Sequence, residues 1–537
     1  MRSLLIGLIS GSLAVAVLRA DQPAVTSYAA IPASANEVTL FAFDNYSIPF
    51  LRNLAVTMQP VKKYPGNPVL RRGGPGTPDE FAAQLYGSVL RIGDKFRMWY
   101  LAGTPQTVAG LSKPVQDFMG WSVCYAESAD GLTWTKPDLG LVGLNGNKHN
   151  NIVQLLPYAG EKGPPPGPGN VLVLFEPHDP EPAQRYKMML LVEPDLPKNI
   201  NNILPFFSAD GLHWRQAVPG RIAANGDVAP EAVRLPLDHF EMGGLYHFQH
   251  MYYVTGQQET PYSWLPDGSG VGRSMSVFRS PDFLHWSETR TLGFVRWGYH
   301  SAPVSQGEEV HMPAASWNRG NVLVGLYGQF HGRPHSKLHP LDLGFLISND
   351  GIHFREALND YAIIPHDPAS KWESGGVVQG QAFVNVGEET FVYYCGWDGD
   401  VTNPATHSEV GLARLRRDGF GSLSPKRPGT AASLVTCGLA AAAPVQVWIN
   451  AEGLSAAARL KVEVLDEDER PLPDWAAADA AVVDQSGTRI LLHWKHGDRI
   501  APPGLFHLRV SFEGEGATWA RLYAVYVGHE AERPVGS

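Results

Sequence analysis

One short pattern, Ser-x-Asp-x-x-x-Trp/Phe, occurs four times and limits what this chain can fold into. It reads Ser128-Ala-Asp130-Gly-Leu-Thr-Trp134, Ser208-Ala-Asp210-Gly-Leu-His-Trp214, Ser280-Pro-Asp282-Phe-Leu-His-Trp286 and Ser348-Asn-Asp350-Gly-Ile-His-Phe354. The aspartates are 80, 72 and 68 residues apart, and a worn fifth copy, Asp418-Gly-Phe420, follows after another 68. Asp-Gly makes a tight turn, because Asp bonds backbone two residues on and Gly accepts positive φ. The aromatic that follows opens the next strand and buries its ring against a neighbouring sheet. Strand-like runs precede the copies, such as Leu343-Gly-Phe-Leu-Ile347. Five unrelated hairpins are the alternative, but near-even spacing with a fixed aromatic favours a true repeat. Units of about 70 residues, each one four-stranded sheet, predict an all-β chain containing a five-bladed β-propeller.

The strand pattern places the propeller over residues 38–425, starting from Val38-Thr-Leu-Phe-Ala-Phe43. Strand pairs recur at Ser88–Ile92 with Phe96–Tyr100, Val171–Phe175 with Arg185–Leu191, and Gly244–Phe248 with Met251–Val254. Val322–Tyr327 stands in the fourth unit, and Gln381–Asn385 with Thr390–Tyr394 in the fifth. Beyond Ser424-Pro-Lys-Arg-Pro-Gly429 the composition changes. Alternating strands separated by polar turns over 431–530 predict a C-terminal β-sandwich.

Arg2 followed by the apolar run Leu4–Leu18 reads as a secretory signal over residues 1–20, cut after Ala16 or Ala20. It is too short and weakly flanked for a stable anchor, although an uncleaved anchor is the alternative reading. Residues 21–37 read as a linker. The expected location is therefore exported, periplasmic or extracellular, with no membrane span once the signal is removed. A net charge of −10 argues against nucleic-acid or anionic-membrane partners. Of the three cysteines, Cys124 and Cys395 lie in apolar strands and read as buried thiols, so disulfides do not define the fold.

The repeated turns, the strand ending Met98-Trp-Tyr100 and the segment Glu241-Met-Gly-Gly-Leu-Tyr-His-Phe-Gln-His-Met-Tyr-Tyr253 resemble the five-bladed glycoside hydrolases of families 32 and 43. Asn147-Lys-His-Asn-Asn-Ile-Val153 and Arg185-Tyr-Lys187 resemble secreted bacterial members of that broad group, which carry a propeller and a C-terminal sandwich. The resemblance implies a carbohydrate substrate and hydrolysis of glycosidic bonds, with no cofactor. Such hydrolysis needs two carboxyls across the scissile bond, one protonated and one ionised. In those families the carboxyls come from the inner strands of different blades.

By that resemblance Glu241 matches the general acid, set among Phe240, Met242 and Leu245. Glu176, in Phe175-Glu-Pro177, falls where the families carry an Asp-Pro, with Asp179-Pro180 competing for the role. Blade 1 departs from the pattern: the Asn-Asp-Pro-Asn-Gly signature is absent, and the matching position falls at Gln84 or Leu85. Asp79 becomes the blade 1 candidate, with Glu80 and Asp44 in reserve. His311, Asn150, Gln379, Gln381 and Trp397 are candidate sugar-binding groups, since hydroxyls take hydrogen bonds and an indole takes the C–H face. His247 and His250 lack a third partner at zinc spacing, so no metal is expected. Two other readings stay open: a non-catalytic carbohydrate-binding propeller that lost its blade 1 acid, and a sialidase-like enzyme, which would need an arginine cluster.

Overall fold

The computed structural model describes residues 24–104, 121–160, 168–192, 202–219, 240–259, 273–287, 290–296, 310–331, 341–399 and 406–529. The expected signal segment lies outside them. Among the described residues the regular structure is strands, apart from a few single-turn helices, as the repeat predicts.

Groups of antiparallel strands follow one another and are numbered here as blades 1–5; parallel bridges from Gln381 to Ser88 and from Ser408 to Ala82 join the first and fifth into one sheet. Blade 1 comprises Ala82–Ile92, Lys95–Gly103 and Ser122–Ser128, with Thr135 bridging back to Glu127 at its edge. Blade 2 comprises Asn170–Phe175, Tyr186–Val192, Asn202–Ser208 and His213–Gln216, with Gln154–Leu156 added in parallel outside. Blade 3 runs Glu241–Phe248, Met251–Glu259, Arg273–Ser280 and Thr291–Phe294. Blade 4 runs Val310–Asn318, Leu323–Phe330, Leu341–Ser348 and Arg355–Glu356. Blade 5 takes Gly376–Val386, Glu389–Trp397 and Ser408–Arg416 from one stretch of chain, but its outer strand, Lys62–Lys63, comes from before blade 1. That borrowed strand ties the beginning of the repeat to its end.

Each blade buries both faces, so its strands read as continuous apolar runs instead of alternating ones. Met188 and Leu190 pack with Trp99 and Val123 of blade 1, whereas Met189 and Leu191 pack with Phe240 and Val254 of blade 3. Similar cores join blades 3 and 4 through Tyr246 and Tyr327, and blades 5 and 1 through Cys395 and Met98. Cys124, Cys395 and Cys437 are free and buried.

All four complete copies of the repeat sit at the end of a third strand. In each, the Asp Oδ1 accepts the backbone N–H groups two and three residues on, as at Asp210 with Leu212 (2.8 Å) and His213 (2.9 Å). The serine Oγ accepts the N–H of the third residue, at 2.9 Å in blades 1 and 2 and 3.0 Å in blade 4. The turn then offers a carbonyl to the preceding blade. Trp99 Nε1 donates to Gly211 O (2.8 Å), Tyr246 OH to Gly351 O (2.8 Å) and Tyr393 OH to Gly131 O (2.8 Å). The repeat is thus a turn and an inter-blade tie. Gly211 has φ of 81°, and a Cβ there would lie 2.8 Å from the Trp99 ring. Gly211→Ala is expected to cost about 1–2 kcal/mol from the left-handed backbone alone, read as a lower urea midpoint at unchanged slope.

The N-terminal boundary differs from the sequence expectation. Glu37–Phe41 pairs with Arg521–Gly528, and Leu54–Met58 pairs with Gly421–Pro425, so these early strands complete the C-terminal unit rather than blade 1. Their partners lie hundreds of residues away, which local pattern cannot reveal. The expected linker is also structured in part: Val25–Ser27 pairs with both Ala33–Ala35 and Leu439–Ala441. In the C-terminal unit, one antiparallel sheet contains Val445–Glu452 and Arg521–Gly528, and the other contains Arg459–Leu465 and His507–Glu513. Their inward residues, among them Val447, Val525, Val462 and Val510, form one core.

Candidate functional site

The inner strands of blades 1, 3, 4 and 5 each break register near their beginnings. The irregularities fall between Gln84 and Ser88, Met242 and Gly244, His311 and Ala315, and Gln379 and Phe383. A bulge of this kind re-aims side chains. Gly243 and Gly244 make it possible in blade 3, since a Cβ at either would fall 1.9 Å from a carbonyl oxygen of Met312 or Ala314. Amide side chains stitch the irregular segments together. Asn170 Nδ2 donates to Met242 O (2.5 Å), Gln379 Nε2 to Met312 O (2.6 Å), and Leu245 N–H to Gln381 Oε1 (2.8 Å).

Above this belt, four blades deliver a cluster around Glu241. Glu241 is half-buried at the start of its strand, and Gln257 Nε2 donates to its Oε2 at 2.5 Å. The same Gln257 accepts the Met312 N–H (3.0 Å), so one amide fixes Glu241 against blade 4. His311 is buried, with its Nε2 3.4 Å from the Tyr86 hydroxyl and its ring edge-on to Phe330 and Trp397, at 5.4 and 6.1 Å between centroids. Burial, aided by the Arg273 charge, pulls the His311 pKa down to about 3, so the ring is neutral at pH 7. The Tyr86 phenol is pushed well up, first by burial and then by the Glu241 charge, and is likewise neutral. Arg273 lies over the Phe330 ring, 5.5 Å from its centroid. Among the described residues, His311 Nδ1 and Gln379 Oε1 are buried without a hydrogen-bond partner.

Of the expected site residues, the structure brings Glu241, His311, Gln379 and Trp397 together here. Gln381 is in the belt beneath, tied to Leu245. Asn150 is elsewhere: its side chain donates to Val142 O (2.8 Å) and accepts from the Ile152 N–H (3.0 Å), bracing a blade 1 loop.

The two carboxylates expected to partner Glu241 do not face it. Glu176 follows the end of the blade 2 inner strand, where His247 Nδ1 donates to it at 2.7 Å. His247 is six residues along the strand that Glu241 begins, which puts the two glutamates about 20 Å apart by strand rise. Carboxyl pairs that cleave a glycosidic bond stand about 5–9.5 Å apart. Glu176 instead anchors an ion pair with the buried Lys187 (2.8 Å), which also pairs with Asp179. Burial raises the Glu176 pKa, but hydrogen bonds from His247, Lys187 and Tyr252 outweigh it and hold it at about 2.

Asp79 is fully buried and aimed at its own blade, accepting from Tyr100 OH (2.8 Å) and pairing with Lys136. Its reserves are structural too. Glu80 accepts the Gly76 N–H (2.6 Å), and Asp44 takes Ser47 Oγ (2.5 Å), Asn349 Nδ2 (2.8 Å) and Arg355 Nη2 (2.5 Å). Asp79→Ala is expected to cost about 1–3 kcal/mol, because it strands Tyr100 and Lys136, while turnover per folded molecule stays unchanged. A fall in turnover at full folding would return Asp79 to the site.

Tyr86, Gln257, Arg273 and Phe330 were not evident as site residues in the sequence. Gln257-Gln258 carried a usable signal, two amides inside an otherwise apolar strand. Tyr86 sits between Leu85 and Gly87, and only the break in register turns it toward His311.

No family model matches the chain, and no curated protein matches it. Among solved structures it is similar to a glycosyl hydrolase from Bacteroides ovatus, at 14% identity over 70% of this chain and 96% of that one, TM-score 0.44. It is also similar to a β-1,2-mannobiose phosphorylase from Listeria innocua (10% identity, 67% and 97% coverage, TM-score 0.39). An N-acetylgalactosamine deacetylase from F. plautii aligns comparably (11% identity, 67% and 95%, TM-score 0.40). Likeness at this level assigns neither family nor reaction.

Proposed function

We propose that this protein acts on a glycan at the mouth of the propeller, with Glu241 as the proton donor to a glycosidic oxygen. The observation that supports this reading is the convergence of one carboxyl group with neutral hydrogen-bonding groups and aromatic rings from four blades. Tyr86, His311, Gln257 and Gln379 suit sugar hydroxyls, which both donate and accept. Trp397 and Phe330 supply apolar walls. Arg273 is the single guanidinium in the described cluster, which favours a neutral sugar over the carboxylate-bearing one that an arginine triad would hold.

A second reading has its own observation. Among the described residues Glu241 is the sole carboxylate of this cluster, and glycoside hydrolysis by two protein carboxyls needs a partner. A propeller that binds glycans without cleaving them fits that count. The two readings separate in one experiment: incubation of the wild-type protein with a broad oligosaccharide panel, scoring binding by calorimetry and cleavage by released reducing ends. Cleavage abolished by Glu241→Ala supports the enzyme. Tight binding with no cleavage of any member supports the binding protein, and neither binding nor cleavage removes both. Export is part of the proposal, and the mature protein from its native host should begin near Val17 or Asp21 when its N-terminus is sequenced.

A further inference from the structure

A cavity of about 710 Å³ opens at the other end of the inner strands, and all five blades line it. Its volume lies within the range of small-molecule sites. Leu90, Phe175, Phe383 and Trp317 make apolar walls, and Gln381 stands in its lining. The amide belt described above separates it from the Glu241 cluster. It is therefore a different place in the molecule, and nothing about Glu241 bears on it.

One polar unit in its wall is organised. His247 stacks on Tyr252, 4.3 Å between centroids and 18° from parallel. Its Nδ1 donates to Glu176 Oε1 at 2.7 Å, while Tyr252 OH donates to Oε2 at 2.7 Å and Lys187 Nζ to the same oxygen at 2.8 Å. Three donors hold the carboxylate, two on Oε2 and one on Oε1, so Glu176 fixes the orientation of the His247 ring. With Nδ1–H committed to Glu176, Nε2 is the ring nitrogen left to meet a ligand. Asn318 is also occupied, its Nδ2 donating to His247 O at 2.6 Å. Among the described residues, Nε2 of His247 has no protein partner.

We propose that this cavity is a second binding site, and that it takes an uncharged, hydroxyl-bearing ring compound with an apolar face, such as a neutral sugar unit. A ligand hydroxyl donates to His247 Nε2, and the ring's C–H face lies on the apolar walls. Anions are disfavoured because Glu176 and Asp179 oppose only one buried ammonium, Lys187.

The test follows the His247 ring nitrogens by ¹⁵N NMR in the full-length protein titrated with methyl glucoside, methyl galactoside and methyl mannoside. Glucuronate serves as the anionic counterpart. The Nε2 resonance should move with at least one neutral glycoside and not with glucuronate. His247→Gln should weaken that binding about tenfold or more, the scale of one lost hydrogen bond in a desolvated site. His247 is partly exposed, so the variant should keep the wild-type thermal midpoint. Glu241→Gln should leave the Nε2 titration unchanged, and so keeps this site distinct from the proposed glycan mouth. A stationary Nε2 signal with every neutral glycoside overturns the proposal. So does equal or tighter binding of glucuronate at His247, or unaltered binding by His247→Gln.

Discussion

Glu241→Gln is expected to cut turnover of ordinary glycosides by about 10²–10⁴-fold, the usual worth of a positioned general acid. The substitution preserves shape, and Gln257 can still bond the new side chain, so the fold and the Met312 contact survive. What disappears is the transferable proton. Substrates whose leaving group departs without protonation should lose far less, because that step does not need the acid. Measuring both substrate types with one mutant therefore separates chemistry from recognition. A proton-transfer role gives a large loss on the poor leaving group alone. Equal and modest losses on both, with raised KM, would assign Glu241 to sugar binding. Gln257→Leu provides a control on positioning: it releases Glu241 from blade 4 and should lower kcat without removing the acid.

The fold was legible because its marking element is local. Ser-x-Asp-Gly closes its own turn through bonds within four residues, as Asp130 does with Leu132 and Thr133, so its chemistry survives in a one-dimensional string. The position of Glu241 at the head of a hairpin was legible too, because the strand pair that follows it, Gly244–Phe248 with Met251–Val254, is a local pattern. Direction was not legible. Asp79 sits in a Gly- and Pro-rich loop with no periodicity, and only its contacts with Tyr100 and Lys136 show that it turns away from the axis. Glu176 was correctly placed at a strand end. Its separation from Glu241 comes from the equivalent orientation of the inner strands around the axis: one residue begins its strand and the other follows the end of its own. The pairing of Glu37–Phe41 with the last strand spans nearly the whole chain, and no local pattern encodes it.

The worn fifth copy of the repeat carries the second large effect. Asp418 occupies the place after the third strand of blade 5, yet it is fully buried and no longer caps a surface turn. Arg319 of blade 4 pairs with both its oxygens, Tyr526 of the C-terminal unit donates at 2.8 Å, and Asn385 of blade 5 donates at 3.1 Å. One carboxylate therefore holds two blades and the C-terminal sheet together, beside a core where Phe41 and Trp448 meet Val324 and Phe383. Asp418→Ala should cost about 3–5 kcal/mol, because it leaves Arg319 buried without its counter-charge. Asp418→Asn keeps much of the shape and should fall between that variant and wild type. The pH dependence has a definite sign. Burial raises the Asp418 pKa, but the Arg319 charge and its hydrogen bonds outweigh that and hold it below the ordinary value. Its contribution is then complete above the unfolded aspartate value of about 3.9, and is lost as pH falls through the lower folded value. Urea midpoints at pH 7 should separate wild type from Asp418→Asn, and the gap should narrow as pH falls below that of unfolded aspartate. A gap that does not change between pH 7 and that acid range would show that the carboxylate's charge is not what joins the blades to the C-terminal unit.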